Sequence, residues 1–397
     1  MRLPSRRPSG STSSPISLGR RQHSEPWRDT NVRSLLTRLA LVLFFTVALS
    51  TVAAAAARPV DYQIGVFYFP GWHSSSDYWN DLKGLPGSRS PGRSWDDRLP
   101  LLGYYPEEEP WVSEKHIDWA AMHGIDFFAY DWYWNGNTTY LDHAISAFLK
   151  AKNNSKLKFC LLWANHSEVP RSMPEFDTMV ALWLERYFRQ PTFYRVEGKP
   201  VVFVFDYGLL DQNARKFGTS GKALLERAVI MAQAAGLPGV YFVATTNDRP
   251  SNDLEARIKA AGYSAYTGWN YVVSRDPSIT ADYSSMVDTY LDYYDTEART
   301  DRILPYLVPA SPGWDKRPWK ANKPFVHVRE NSTPAKFEKM LVGAKRLLDR
   351  QTTTPKILMI EAWNEFGEGA YIEPTKKWGM QYLEAIRKVF GGGASRK

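Results

Sequence analysis

The chain of 397 residues is long enough to bury a large core, and its 23% charged residues and dispersed 26 Gly and 26 Pro are those of a globular protein. The net charge of +8 is gathered at one end: residues 1–57 carry eight Arg against Glu25 and Asp29, a net +6, which leaves only +2 for the rest. That near balance excludes a general electrostatic grip on nucleic acid by the folded part, and a single cysteine, Cys160, excludes an intrachain disulfide.

Residues 1–38 are rich in Ser, Arg and Pro and read as a disordered basic arm. Residues 39–57 come next without a charge, beginning Leu39-Ala40-Leu41-Val42-Leu43 and ending in five alanines. Small residues at Ala55 and Ala57 suit a cleaved secretory signal, while the length and the preceding arginines suit an uncleaved anchor. Either way residues 58–397 are expected outside the cytosol, secreted or anchored at the membrane. Asn-x-Ser/Thr sequons at Asn137, Asn153, Asn165 and Asn331 fit that destination.

From residue 64 apolar, β-rich runs alternate with helical spacing. The runs are 64–69, 125–130, 157–163, 201–205, 240–244, 263–267, 304–308 and 356–362. Helical patterns are expected over 113–122, 141–151, 176–188, 222–235, 253–260, 282–298, 335–349 and 377–390, with Gly124, Gly236 and Gly262 placed to end three of them in a left-handed cap. Eight strand–helix repeats predict a single catalytic (β/α)8 barrel over 58–397. An open doubly wound sheet is the competitor, but no Gly-x-Gly-x-x-Gly comes after any of the runs. Cys160, inside an apolar run, is expected to pack in the core.

In such a barrel the site is built from the loops at the carboxyl ends of the strands. Those loops bring Tyr68, Trp72 and His73; Asp131 and Trp134; Trp163, Asn165 and His166; Asp206; Trp269 and Asn270; Trp314 and Asp315; and finally Trp363, Asn364, Glu365 and Glu368. Rings that stack on sugar C–H faces, mixed with carboxylates and amides that bind hydroxyls, predict an oligo- or polysaccharide ligand. Glu365 and Glu368 are the candidate acid/base pair, since glycoside cleavage needs one group to protonate the leaving oxygen and another to supply charge or take a proton. Strand alternation carried through 357–365 puts Glu361, Trp363 and Glu365 on one side, with Glu361 deeper and in need of a partner. The stretch from Gly71 to Pro110 is long enough for a lid or binding wall, with a disordered insertion as the alternative. The seven His show no metal-ligand spacing, and neither metal nor cofactor is expected.

Five ordered motifs, Tyr68-Phe69-Pro70-Gly71-Trp72-His73, Trp163-Ala164-Asn165, Arg195-Val196-Glu197-Gly198-Lys199-Pro200, Gly313-Trp314-Asp315-Lys316-Arg317-Pro318 and Trp363 through Pro374, resemble the WbsX-like proteins, relatives of the family 99 glycoside hydrolases. The resemblance covers nearly everything from 64 to 390. It implies metal-free, retaining cleavage of α-linked mannosides, with Glu365 as the base that takes the proton of the sugar's 2-hydroxyl to give a 1,2-anhydro sugar. Glu368 would protonate the leaving group and then activate water. Between the two Glu the hydrolases carry an aromatic and then His, where this chain has Phe366 and Gly367, and Glu361 stands where the WbsX-like branch often has Asn. A monomeric glycoside hydrolase is therefore expected. A WbsX-type glycosyltransferase and a non-catalytic carbohydrate-binding barrel are the alternatives.

Overall fold

The structure, a computed structural model, describes residues 62–273, 275–298, 302–320, 327–352 and 355–391. The basic arm and the uncharged segment 39–57 lie outside the described residues. Among the described residues no helix is long and apolar enough to cross a membrane.

Eight parallel strands form a closed barrel: β1 (Tyr62–Tyr68), β2 (Phe127–Trp134), β3 (Lys158–Trp163), β4 (Lys199–Val204), β5 (Tyr241–Thr246), β6 (Ala265–Gly268), β7 (Tyr306–Ala310) and β8 (Lys356–Ile360). Each pairs with its neighbours in sequence, and closure comes from β1, which pairs with β2 on one side and β8 on the other, Gly65 facing both Phe127 and Met359. Each strand overlaps one of the eight expected runs. The outer helices are α1 (Pro110–Met122), α2 (His143–Lys150), α3 (Met173–Arg186), α4 (Gly221–Ala234), α5 (Asn252–Ala260), α6 (Tyr283–Glu297), α7 (Pro334–Arg350) and α8 (Gln381–Phe390).

Local chemistry explains the boundaries. Ser172, Ser220, Ser251 and Thr333 accept first-turn N–H groups of α3, α4, α5 and α7, and Pro opens α1, α3 and α7. Gly124, Gly236 and Gly262 have φ of 83°, 83° and 91°, the left-handed turns expected after α1, α4 and α5. Inside the barrel a Cβ on Gly65 would lie 2.1 Å from the Phe127 ring, so the glycine is what lets that ring fill the space. Cys160 is fully buried, and burial pushes its thiol up.

The long segment after β1 is a folded wall. It contains the short helix Asp77–Lys83 and the 3-10 turn Asp96–Arg98, and buries Trp72, Trp79, Trp95 and Tyr105 with Phe69 and Phe366 in a second hydrophobic cluster. Beside it, the loop after β7 pairs Trp314–Asp315 with Val328–Glu330, which in turn pairs with Thr280–Asp282.

Candidate active site

The β8 ladder ends at Ile360, and the chain then forms a two-rung hairpin in which Asn364–Glu365 pairs with Ala370–Tyr371. The turn is tight: Glu368 N donates to Glu365 O at 3.1 Å, and Gly369 takes φ of 71° with Asp315 N only 2.8 Å from where a Cβ would be. Asp315 N donates back to Glu368 O at 2.5 Å, which joins the hairpin to the loop after β7. Glu365 and Glu368, 5% and 6% exposed, are thereby held on one turn at the carboxyl end of the barrel.

Asn364 fixes the base of the hairpin. Its Oδ1 accepts from Phe69 N and its Nδ2 donates to Phe69 O, both at 2.9 Å, while Trp72 Nε1 donates to Asn364 O at 2.9 Å. Asn364 Nδ2 also reaches the buried Glu107, which accepts from Trp72 N at 2.9 Å and lies 3.0 Å from His143 Nε2. Trp72 is thus fully buried under the turn, where it packs on Phe366 and Trp79 and positions the Glu pair.

Four buried carboxylates lie within electrostatic reach of one another: Asp131, Glu361, Glu365 and Glu368. Burial first, and then the charge of Glu368, hold Asp131, Glu361 and Glu365 well above the usual carboxylate range. Lys316 forms an ion pair with Glu368. Burial alone would lower its ammonium, but the carboxylates of Glu368, Glu365 and Glu361 outweigh that and raise it. Glu361 has the partners its depth demands: its Oε2 accepts from Asn270 Nδ2 at 2.6 Å and Ser311 Oγ at 3.3 Å. Asp131 Oδ1, Glu361 Oε1 and Glu365 Oε2 are buried with no hydrogen-bond partner in the protein, so their hydrogen-bonding capacity is unspent.

Several residues expected in the site are elsewhere. Tyr68, Trp134, Trp163 and Trp363 are buried between the barrel and its outer layer: Tyr68 OH meets His116 Nδ1 of α1 at 3.1 Å, Trp134 donates to Glu175 of α3, Trp163 packs on Phe176 and Trp183 of α3, and Trp363 packs on His116 and Phe128. Trp363 therefore does not share a side with Glu361. Beyond Ile360 the chain is no longer a pleated strand, and Trp363 is fixed by its own bonds to Phe67 O, Ile372 N and Glu373 N. Asn165 spends both amide atoms on the backbone of Asp206, at 2.8 and 2.9 Å, and is fully buried, which rules out a glycan there. Asp206 caps the helix Tyr207–Arg215 through Leu209 N. His73 lies at the rim against His143, and Asp315 is committed to Arg98 and Arg317. Trp314 is half-buried, with the Lys316 ammonium 5.2 Å from its ring centre.

Lys316 was the residue that sequence reasoning passed over as a site group. Its signal was its place inside Gly313-Trp314-Asp315-Lys316-Arg317-Pro318. Among the described residues no group of three or more His, Cys, Asp or Glu is arranged to hold a metal ion.

Comparison with known proteins adds the lineage. The family model described as Glycosyltransferase WbsX matches residues 95–386. Proteins of Xanthomonas campestris pv. campestris strains ATCC 33913 and B100, both called uncharacterized protein WxcX, are 25% identical over 405 residues, covering 94% of this chain and 54% of theirs. The chain spans about half the length of these relatives. Among solved structures, a glycoside hydrolase-like protein superposes with a TM-score of 0.58 at 17% identity, covering 85% of this chain and 97% of that one. The GH99 endo-alpha-mannosidase from Bacteroides thetaiotaomicron, in complex with bis-tris-propane, gives 0.58 at 16% identity, covering 85% and 98%. At such identities the likeness shows a shared barrel fold.

Proposed function

The chain belongs to the WbsX family, and from that premise we propose that it is a glycoside hydrolase cleaving an α-linked, mannoside-like glycan with retention of configuration. The observation that carries the reading is the buried pair Glu365 and Glu368 on one hairpin turn, set among Asp131, Glu361 and Lys316 with three carboxylate oxygens unpartnered. Glu365 takes the proton of the 2-hydroxyl as that oxygen attacks the anomeric carbon, and Glu368 gives a proton to the departing oxygen. Water then opens the 1,2-anhydro ring, its proton returning to Glu368 while Glu365 returns its own to O2.

Burial and then the charge of Glu368 raise the Glu365 carboxyl, and Lys316 pairs with Glu368. For Glu368 to give a proton to the leaving oxygen, that ion pair has to part when substrate enters. Glu361 and Asp131 supply the acceptors for other sugar hydroxyls. We place this reaction outside the cytosol on the strength of the uncharged run 39–57.

The test is digestion of a panel of α-linked oligosaccharides by the full chain. The wild type should turn over at least one member, and Glu365→Gln and Glu368→Gln should each lose at least about a hundredfold in rate. Full activity in both variants would remove the assignment. The family's description supports a second reading, a glycosyltransferase, and tight binding of a sugar nucleotide in calorimetry would favour it.

A further inference from the structure

Beside the carboxylates, the wall after β1 and the hairpin at the end of β2 enclose a cleft of ≈ 710 Å³, within the range of ligand sites. One side is the short helix Asp77–Lys83 and the loop carrying Arg89; the other is Tyr140, in a two-residue strand paired with the end of β2. The cleft adjoins the catalytic groups through rings. Tyr78 and Tyr140 both line it, Tyr140 packs on Tyr133 with centroids 5.1 Å apart, and Tyr133 OH points to Asp131 Oδ2 at 3.5 Å. The charge of Glu365 is felt at both Tyr78 and Tyr133.

The lining is suited to sugar. Tyr78 is half-buried, held by Trp319 at 5.4 Å and by the Arg89 guanidinium 4.6 Å above its ring, so it is a fixed part of the wall rather than a loose side chain. Arg89 is itself neutralised by the buried Asp81, donating to it from both Nε and its backbone N–H at 2.7 Å. Asn80 Nδ2 donates to Asp77 Oδ1 at 3.2 Å, a short polar pair that can turn its remaining donor and acceptors to hydroxyl groups. Arg89 and Asp81 offset one another, which leaves Asp77 as the unbalanced charge of the lining and disfavours an anionic ligand.

We infer that this cleft is an extended subsite for the neutral, hydroxyl-rich glycan chain that continues beyond the reacting sugar, with Tyr140 as the stacking face, Tyr78 as a fixed wall, and Asp77 and Asn80 as hydroxyl partners. The inference rests on the proposed hydrolase reading and adds the length of glycan that the site takes. Ring stacking of this kind contributes where C–H faces lie on aromatic faces, so longer substrates should bind better than shorter ones.

The experiment compares a disaccharide with a hexasaccharide of the same α-linkage on the full chain. The ratio of kcat/KM, long over short, should be at least about tenfold for the wild type, and Tyr140→Ala and Asp77→Ala/Asn80→Ala should each bring it down several-fold. In parallel, calorimetry on Glu365→Gln reads binding without turnover: the hexasaccharide should bind more tightly than the disaccharide, and Tyr140→Ala in that background should erase the difference. Equal ratios in wild type and variants, or equal binding of both lengths to Glu365→Gln, would overturn the subsite. Hydrolysis that is intact but indifferent to length would sink the subsite alone. Length-dependent binding without any hydrolysis would keep it and sink the hydrolase reading.

Discussion

Lys316 shows how a single side chain can set the working pH of the site. It faces Glu368, Glu365 and Glu361, and its positive charge lowers the carboxyls of Glu365 and Glu361 against the burial that raises them. Glu365 has to be ionised to take the 2-hydroxyl proton, so the acidic limb of kcat/KM reports loss of the proton from its raised carboxyl. Activity should rise with pH through that limb, at a pH above the usual carboxylate range. Lys316→Gln removes a charge that favours ionisation, so the whole pH–rate profile should move to higher pH, and Lys316→Arg should move it less. An unmoved profile in Lys316→Gln would show that the ion pair has no part in the chemistry. At this scale the placing of Asp131, Glu365 and Glu368 at the carboxyl end of the barrel was legible because each stands where an apolar run gives way to polar residues. The tryptophans were not. Trp134 shares its strand side with Trp132, the side opposite Asp131 and Tyr133, and alternation within β2 alone would have sent it outward to α3.

The hairpin that carries Glu365 and Glu368 is the element on which the proposed chemistry rests, and its shape depends on a gap. A Cβ on Gly367 would lie 1.8 Å from the Trp319 indole, which packs against Phe69 and Tyr78 beside the turn. This accounts for the bare position at Gly367, the second of the two residues between the Glu pair: Trp319, from the loop after β7, fills that volume. Gly367→Ala should destabilise by about 1–3 kcal/mol, the usual cost of overpacking. In urea unfolding the double variant Gly367→Ala/Trp319→Ala should lose less than the sum of the two single losses, because the clash is then gone. Strict additivity would mean that the two residues do not meet. The eight strands and the eight outer helices were legible because each carries its own period, and several of the helices also carry a Ser, Thr or Asp cap or a closing glycine. The hairpin was not, because two rungs are too short to show a period, and alternation carried past Ile360 mislaid Trp363.

For the molecule as a whole, the site is a liability to folding. Asp131, Glu361 and Glu365 are raised by burial and then by the charge of Glu368, so the folded state binds protons more tightly there than the unfolded chain does. Their effect on stability is absent below the unfolded carboxylate range, near pH 4, and grows unfavourable as pH climbs towards the raised folded values. Glu365→Gln should therefore raise Tm at pH 8 and leave it nearly unchanged at pH 4, which a pair of thermal melts can check. A lower Tm at pH 8 would contradict it. Such a gain in stability at the expense of activity is what a functional site predicts. The barrel itself could be foreseen from its alternation, but the meeting of carboxylates from β2 and β8 with a lysine from the loop after β7 is a product of closure, which no local pattern records.

The most direct measurement is NMR of the anomer first released when the full chain cleaves a defined α-linked oligosaccharide, before mutarotation. The account predicts the α anomer from the wild type and no release from Glu365→Gln or Glu368→Gln. The β anomer appearing first, or undiminished release from either variant, would contradict it.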